Sequence, residues 1–371
     1  MTARYHRHNL IDWFSQDVIS KTRVAVIGAG AVGNEVIKNL CLLGVGEIHI
    51  FDFDYIEEHN LTRSVLFRET DIGMHKAEVA AWRATELDPN VQVKAVCGDF
   101  WDTLSVSGLK TFDALFCCVD NFEARIRCNT LCYLAKTNFI NVGIDSRSVS
   151  VETYPFSSNL KSGCIECNLP ETVYRRISER YSCGYLKKVS FVERKVATTI
   201  ITSSIAGSFA VSTGLRLGTD ADEASMPNRL YVDTIAGNLT RTTLAKRDDC
   251  PCCGRIPANV TLIRTKRDVR GLENSLGANA TVVMSEPILV GYRLLGEGAS
   301  HIIFRKASEF DDGFPATLAS DPGDVEMEVR DQFTLAEIAE RFDGHQIPSK
   351  FAVVETDQHT LICEFDGDEH E

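Results

Sequence analysis

The sequence predicts an α/β protein: a Rossmann-like, mostly parallel sheet with helices on both faces, followed by a small α+β domain. Three observations carry this. Apolar, β-branched runs alternate with helical periodicities through the first 145 residues, the pattern of strands joined by covering helices. One strand-to-helix junction, "VIGAGAVGNE", spaces Gly28, Gly30 and Gly33 as a nucleotide phosphate turn does. After Gly254 the composition shifts, and separate strand and helix patterns begin.

In chain order, a helix is expected over "LIDWFSQDVIS", with Leu10, Phe14 and Val18 on one face. A strand from Arg23 then enters the glycine turn, and a second strand ends at Asp52. Glycines at such a turn allow close backbone approach to phosphate. The helix that follows aims its free N–H groups at the anion, and an acid about twenty residues on can hold a ribose hydroxyl. The helical pattern "KAEVAAWRATEL" is stopped by Asp88-Pro89-Asn90. The strand "VQVKAVC", the buried strand "DALFCCVD", the helix "NFEARIRCNTLCYLAK" and the buried strand "NFINVGI" follow.

From Ser146 alternating strands take over, in "SVSVETYPF" and "NRLYVDTIAGNLTRTTLA". The stretch "TTIITSSIAGSFAVSTGLRLG" between them suits close packing on the sheet rather than a membrane, because Arg216 and many hydroxyls interrupt it. Residues 256–371 hold two strand patterns, an acidic Gly/Pro-rich segment (Asp311 to Asp324), a short helix "TLAEIAERF", a strand pair around "FAVVETDQHTLICEF" and an acidic tail. The expected domains are therefore 1–255 and 256–371.

Composition narrows the function classes. Apolar content of 44% and charged content of 25% are ordinary for a soluble protein, and no apolar run has membrane-spanning length. The start, "MTARYHRHNL", lacks the apolar region of a secretory signal, so a cytoplasmic location is expected. A net charge of −13 without a basic tract argues against nucleic acid as the main partner.

The 13 cysteines, an odd number, suit a reducing compartment. Cys41, Cys97, Cys117, Cys118, Cys128 and Cys132 sit in apolar patterns and read as small buried hydrophobes. Cys164-x-x-Cys167 and Cys250-x-x-Cys253 have the ligand spacing of a tetrahedral Zn²⁺ site. Their long separation means that the fold must join the two pairs, which makes the site structural. Cys252 has the wrong spacing for a ligand, and Cys363 lies in a buried strand pattern.

Charged groups gather where strands are expected to end: Asp52, Asp54, Asn60, Arg63 and Lys76, then Asp120 and Asn121. Carboxylates, cations and a phosphate turn in one crevice suit Mg²⁺ with a triphosphate better than a nicotinamide ring. Spacing alone leaves another reading open, in which Arg63 and Lys76 form surface ion pairs and Asp120 caps the next helix.

"RYHRHNL", "VIGAGAVGNEVIKNLCLLGVGEIHIFDFD", "HNLTRSVLF", "DIGMHKAEVA", "CVDNFEARIRCN", "CIEC" and "CPCCG" occur in this order. Together they resemble the ThiF/MoeB-type superfamily, which includes the ubiquitin-activating enzymes, over roughly residues 4–254. The resemblance implies adenylation, with ATP, of the C-terminal glycine of a ubiquitin-like protein. It assigns Gly28, Gly30 and Gly33 to the phosphate turn, Asp52 to the ribose, Asn60, Arg63 and Lys76 to the phosphates, and Asp120 to Mg²⁺. Arg7 matches an arginine that the family reaches across a homodimer interface, with His8 where Gln is usual. Cys183, in "ERYSCGYLKKVSF", matches a cysteine that takes over the activated acyl group in many members, and Arg180, Lys187 and Lys188 are placed to lower its pKa.

The chemistry agrees. A carboxylate is ionised at neutral pH and needs no general base, whereas the phosphate charge needs Arg7, Arg63, Lys76 and a metal. "FTLAEIAERFDGHQIPSKFAVV" resembles the ubiquitin-fold domain that recruits conjugating enzymes, which favours a bacterial-type activating enzyme. The competing expectation is a sulfur-carrier adenylyltransferase of thiamine or molybdopterin type, without transfer to cysteine. A catalytically idle subunit is disfavoured because Arg63, Lys76 and Asp120 are all present, and an NAD(P) oxidoreductase because no histidine is well placed.

Overall fold

Runs of Val, Ile, Ala and Phe form the centre of an eight-stranded sheet in this computed structural model. The structure describes residues 3–159, 162–174, 197–217, 228–257, 260–294, 300–309, 325–342 and 346–365. They fall into two compact units: one comprises the described residues up to Asn168 and from 197 to Arg255, and the other begins at Ile256 and also takes in residues 169–174.

The first unit runs α1 (Gln16–Ile19), β1 (Arg23–Ile27), α2 (Ala31–Leu42), β2 (Glu47–Phe51), α3 (Lys76–Leu87) and β3 (Gln92–Val96). Then come α4 (Phe100–Thr103), α5 (Val106–Leu109), β4 (Ala114–Cys117), α6 (Phe122–Ala135), β5 (Asn138–Ile144) and β6 (Ser148–Tyr154). After these follow α7 (Ile200–Gly214), β7 (Arg229–Asp233) and β8 (Asn238–Thr242). The strand order is β3-β2-β1-β4-β5-β6-β7-β8. Pairing is parallel from β3 to β5 and antiparallel from β5 to β8. The order reverses direction between β1 and β4, the switch point where open α/β sheets bind ligands beyond the carboxyl ends of their strands.

Burial explains the strand sequences. Val24 to Ile27 and Ala114 to Cys117 are buried without alternation, because helices cover both faces. The edge strand β8, with its polar Asn-Leu-Thr-Arg-Thr sequence, is exposed throughout. The small residues of α7 serve the close packing expected of them. A Cβ on Gly207 would lie 2.5 Å from the Glu35 side chain of α2, and one on Gly214 2.7 Å from the Phe116 ring of β4. No described helix is long and apolar enough to cross a membrane.

Two expectations need correction. The helix expected over residues 10–20 is only the single turn of α1, preceded by a 3₁₀ turn at His8–Leu10. Leu10 and Val18 are 71% and 57% exposed, and the buried residues are Gln16 and Ile19. Ser15 is extended, and Gln16 Nε2 donates to Leu43 O, so long-range ties override the apolar periodicity. Among the six cysteines read as buried, Cys97 is exposed just past β3 and Cys118 is half-buried at the end of β4. Both stand where a strand leaves the core.

The second unit contains β9 (Thr261–Thr265), α8 (Val269–Leu276), β10 (Thr281–Leu294), β11 (Ser300–Lys306), β12 (Val325–Thr334), α9 (Leu335–Arg341), β13 (Phe351–Glu355) and β14 (Thr360–Phe365). Its sheet runs β11-β10-β13-β14-β9, with β12 also paired to β10. The first and last strands, β9 and β14, are parallel, and the other pairs are antiparallel. Leu272, Val282, Ile288, Phe333, Ile338 and Phe342 lie in its core. The acidic segment 311–324 and the acidic tail after Phe365 lie outside the described residues.

Candidate active site

The turn between β1 and α2 is built as its glycines require. Gly28 has φ +92°, a conformation that side chains resist, and its Cβ would meet Cys118 O at 3.0 Å. A Cβ on Gly33 would lie 1.9 Å from Gly28 O, so α2 can start this close to β1 only with glycine there. Around Gly30 nothing lies within 4 Å of a Cβ. Gly30 is also the N-cap of a three-turn helix, where open space and free N–H groups suit a phosphate.

Asp52 does more than the motif implies. Its Oδ2 accepts the Ala29 N–H at 2.6 Å, tying β2 to the glycine turn, and its Oδ1 accepts the Asp54 N–H at 2.8 Å. Burial raises the Asp52 pKa, against these two backbone hydrogen bonds and the Lys76 charge. A carboxylate has about four lone-pair sites, so acceptor capacity remains for a ribose hydroxyl.

Lys76 is the first residue of α3, where the helix dipole disfavours a cation. Its Nζ sits 2.7 Å from Asp54 Oδ2, with the lysine side chain 12% and the aspartate 53% exposed. The Asp54 carboxylate thus holds a cation where the helix field alone would not. Asn60 is buried, and its Oδ1 accepts the Glu57 N–H at 3.0 Å in a capping box, leaving the amide NH₂ as its available donor. Arg63 donates to His59 O at 2.6 Å and has no carboxylate partner among the described residues. The surface-ion-pair alternative therefore holds for Lys76 alone.

At the end of β4, Asn121 is the residue that caps α6, its Oδ1 accepting the Ala124 N–H at 2.8 Å. Asp120 is exposed, and no hydrogen bond or ion pair among the described residues engages its carboxylate. An unengaged carboxylate beside a phosphate turn suits a hard divalent cation with several water ligands, as Mg²⁺ is. The ends of β1, β2 and β4, three neighbouring strands, thus carry the glycine turn, Asp52 with Asp54, and Asp120 with Asn121.

Arg7 is exposed on an N-terminal segment pinned on both sides of it. Tyr5 donates to Asp88 Oδ2 at 2.5 Å and Arg4 to Leu87 O at 2.8 Å, while His8 Nδ1 pairs with Gln16 Oε1 at 2.8 Å and stacks on Tyr5. The segment is held, with its arginine exposed. Arg180, Cys183, Lys187 and Lys188 lie outside the described residues.

The four cysteines expected as ligands converge. Cys164, Cys167, Cys250 and Cys253 are all buried, with sulfurs within 4.8 Å of one another. The Cys164–Cys250 and Cys167–Cys253 sulfur pairs are 3.6 and 3.3 Å apart. Tetrahedral zinc with bonds of about 2.3 Å would set sulfurs about 3.8 Å apart, so the cluster fits the ion. The Cys164 and Arg247 N–H groups both donate to Cys167 Sγ, at 3.5 and 3.4 Å, contacts that would steady a metal-bound thiolate. Hydrogen bonds from Cys164, Cys250 and Cys253 hold the Cys167 pKa far below the ordinary thiol value, while the other three are raised. Cys252 is buried beside the four but is not one of them.

One residue escaped the sequence reading. Asn34 is fully buried in the first turn of α2, where its Nδ2 donates to Ala29 O and Gly30 O at 2.6 and 3.0 Å. Its Oδ1 accepts the Leu66 N–H at 2.9 Å. It therefore ties the glycine turn to the loop that carries Arg63. The available signal was an amide in the first turn of a helix start, "GAVGNEVI", whose only other polar residue is Glu35.

Turn, strand ends and cysteine cluster together describe an α/β protein with a glycine turn suited to phosphate and four sulfurs suited to a metal. The chain belongs to the ThiF family, whose pattern matches residues 5–252. It is 30% identical over 209 residues to the ubiquitin-like modifier-activating enzyme 5 of Bombyx mori, covering 53% of this chain and 51% of that protein. It is 24% identical over 265 residues to the sulfur carrier protein adenylyltransferase of Thermus thermophilus, covering 70% and 93%. The chain thus spans about half the length of the activating enzyme it matches. In fold it is similar to E. coli MccB with succinimide, at a TM-score of 0.55 and 24% identity over 68% of this chain and 75% of that one.

Proposed function

We propose that this chain uses Mg·ATP to adenylate the C-terminal glycine of a ubiquitin-like carrier protein. The observation that carries the reading is the grouping at the β1, β2 and β4 ends: a glycine turn open around Gly30, Lys76 paired with Asp54, and an unengaged Asp120. The carrier carboxylate attacks the α-phosphorus, a new acyl–O–P bond forms, and the bond to the β-phosphate breaks to release pyrophosphate. The glycine turn and α2 N-terminus bind phosphate oxygens, Asn60 donates its NH₂, and Arg63 and Lys76 offset the charge that grows on the leaving group. Asp120 would hold Mg²⁺, which would supply charge neutralisation at the phosphates. Arg7 adds a cation to the site of a second copy in a homodimer. Cys164, Cys167, Cys250 and Cys253 would hold zinc and so tie down the antiparallel strands, where the carrier docks.

In the full reaction the Cys183 thiolate attacks the acyl adenylate, AMP leaves, and a thioester remains for transfer to a conjugating enzyme recruited by residues 256–371. The similarity to an activating enzyme supports this arm. Similarity across 93% of a sulfur carrier adenylyltransferase supports the second reading, in which the adenylate itself is the product used. Mixing the protein with Mg·ATP and small β-grasp proteins ending in glycine separates them. A reductant-sensitive adduct absent from Cys183→Ala is expected; adenylate without any adduct would favour the second reading.

A further inference from the structure

The loop that carries Asp120 hangs on a side chain to which neither motif nor capping rule assigns a role. Arg125 lies one turn into α6, and its guanidinium points back under the loop. Nη2 donates to Val119 O, the carbonyl just before Asp120. Nη1 donates to Asn141 Oδ1 at 2.5 Å and to Val142 O at 2.7 Å, both on β5. The parallel ladder between β4 and β5 stops at Cys117↔Asn141, so the guanidinium bridges the two strands where their own pairing ends.

The chain of contacts continues. Asn141 Nδ2 donates to Glu152 Oε2 at 2.9 Å, across the antiparallel pair Asn141↔Glu152. That oxygen also accepts from Tyr154 OH at 3.1 Å, and Glu152 Oε1 lies 3.3 Å from Arg229 Nε on β7. Asn141 and Glu152 are 7% and 8% exposed and Tyr154 is fully buried. The amide can face only one way: flipped, its NH₂ would meet a guanidinium and its oxygen a carboxylate. A buried polar chain with one permitted polarity fixes its members more tightly than its separate bonds would.

We propose that Arg125 is a positioning residue for Asp120, locked by Asn141 and Glu152, so that the nucleotide end of the sheet and the antiparallel strands hold one fixed relation. The functional part of this rests on the adenylation reading: the loop's place sets where a metal-bound triphosphate lies relative to the strands proposed to receive the carrier. Arg125 touches no reacting atom in this account and acts only through the Val119–Asn121 backbone.

Hydrogen exchange on the nucleotide-free protein tests the positioning directly. In Arg125→Gln, amides of residues 118–121 are expected to exchange about tenfold faster or more, while the turn at 28–33 is unchanged. Asn141→Leu is expected to loosen the same loop although it touches no loop atom, and the double variant to add little to either single one. Arg125→Lys keeps the charge but not the fork, so it should fall between. In pyrophosphate exchange, Arg125→Gln should raise the half-saturating Mg²⁺ concentration severalfold with little change in KM for the carrier. Unaltered exchange at 118–121, or a uniform rise across β1–β5, would overturn the positioning role. Unaltered loop exchange counts against it even if ATP is used normally, whereas a loosened loop in a protein that uses no Mg·ATP would sink the adenylation reading alone.

Discussion

In the parallel half of the first sheet, β1 to β4, hydrogen bonds spanning 23 and 32 residues of chain fix the glycine turn. Gly28, Gly30 and Gly33 shape one turn, Asp52 ties that turn to β2, and Asn34 ties it to the next loop. In the antiparallel half, β6 to β8, the decisive contacts join distant segments: Cys164 to Cys250, Cys167 to Cys253, and Glu152 to Arg229. The first half is held by backbone geometry that any folded copy must adopt. The second brings together four buried sulfurs within 4.8 Å of one another, a set that suits one cation. One half thus carries a turn suited to an anion, and the other a sulfur cluster suited to a cation.

The largest expected effect removes that cation. One zinc per chain is expected by elemental analysis, and structural zinc binding carries a gross free energy of about 10 kcal/mol or more. Stripping it with a chelator, or substituting Cys167→Ser, should unfold the antiparallel half by circular dichroism and lower the melting temperature steeply. A chain that keeps its melting temperature without zinc breaks the comparison.

The glycine turn provides the next test, because two of its members should behave differently. Gly33→Ala puts a Cβ 1.9 Å from Gly28 O and should cost about 3 kcal/mol in urea unfolding. Gly30→Ala meets nothing within 4 Å, so its stability should barely change while ATP affinity falls, as measured by titration calorimetry. Equal stability losses would show that the space above Gly30 is not a ligand's.

Lys76→Ala should leave stability unchanged or slightly higher, since it removes a cation from a helix N-terminus. Its pyrophosphate-exchange rate should nevertheless fall by about 10²–10³. A stability loss with normal exchange would make the Lys76–Asp54 pair purely structural.

The legibility of these features follows the same division. The phosphate turn, Asp52 and the two Cys-x-x-Cys pairs were visible because local backbone geometry or ligand chemistry demands particular residue types at fixed spacing. The alternation of apolar runs likewise revealed the parallel core. What periodicity could not show was tertiary override: Leu10 and Val18 look like a helix stripe, yet Gln16 is the buried residue because Leu43 O claims its amide. Nor could it show that Asn121 rather than Asp120 caps α6, or that Asn34, Arg125 and Asn141 carry long-range hydrogen bonds. Asn and Arg are common in helices and strands, and nothing in their spacing announces a distant partner.

The smallest effect concerns the pinned N-terminus. Burial, and after it the hydrogen bond to Asp88, raises the Tyr5 pKa from 10.0 to about 12. A pKa raised in the folded state gives stability that is complete below the unfolded value near 10 and is lost as pH rises towards 12. Residues 4–8 should therefore detach between these values, as reported by Trp13 fluorescence, while Tyr5→Phe should abolish the transition and cost about 1 kcal/mol. Detachment at the same pH in Tyr5→Phe would assign it to another group.

The central claim, that this crevice splits ATP between the α- and β-phosphates onto a carrier carboxylate, is tested most directly by exchange of labelled pyrophosphate into ATP. Exchange should require Mg²⁺ and a β-grasp protein ending in glycine, and it should be lost in Asp120→Asn. Exchange that ignores the carrier, or that survives Asp120→Asn undiminished, would contradict the account.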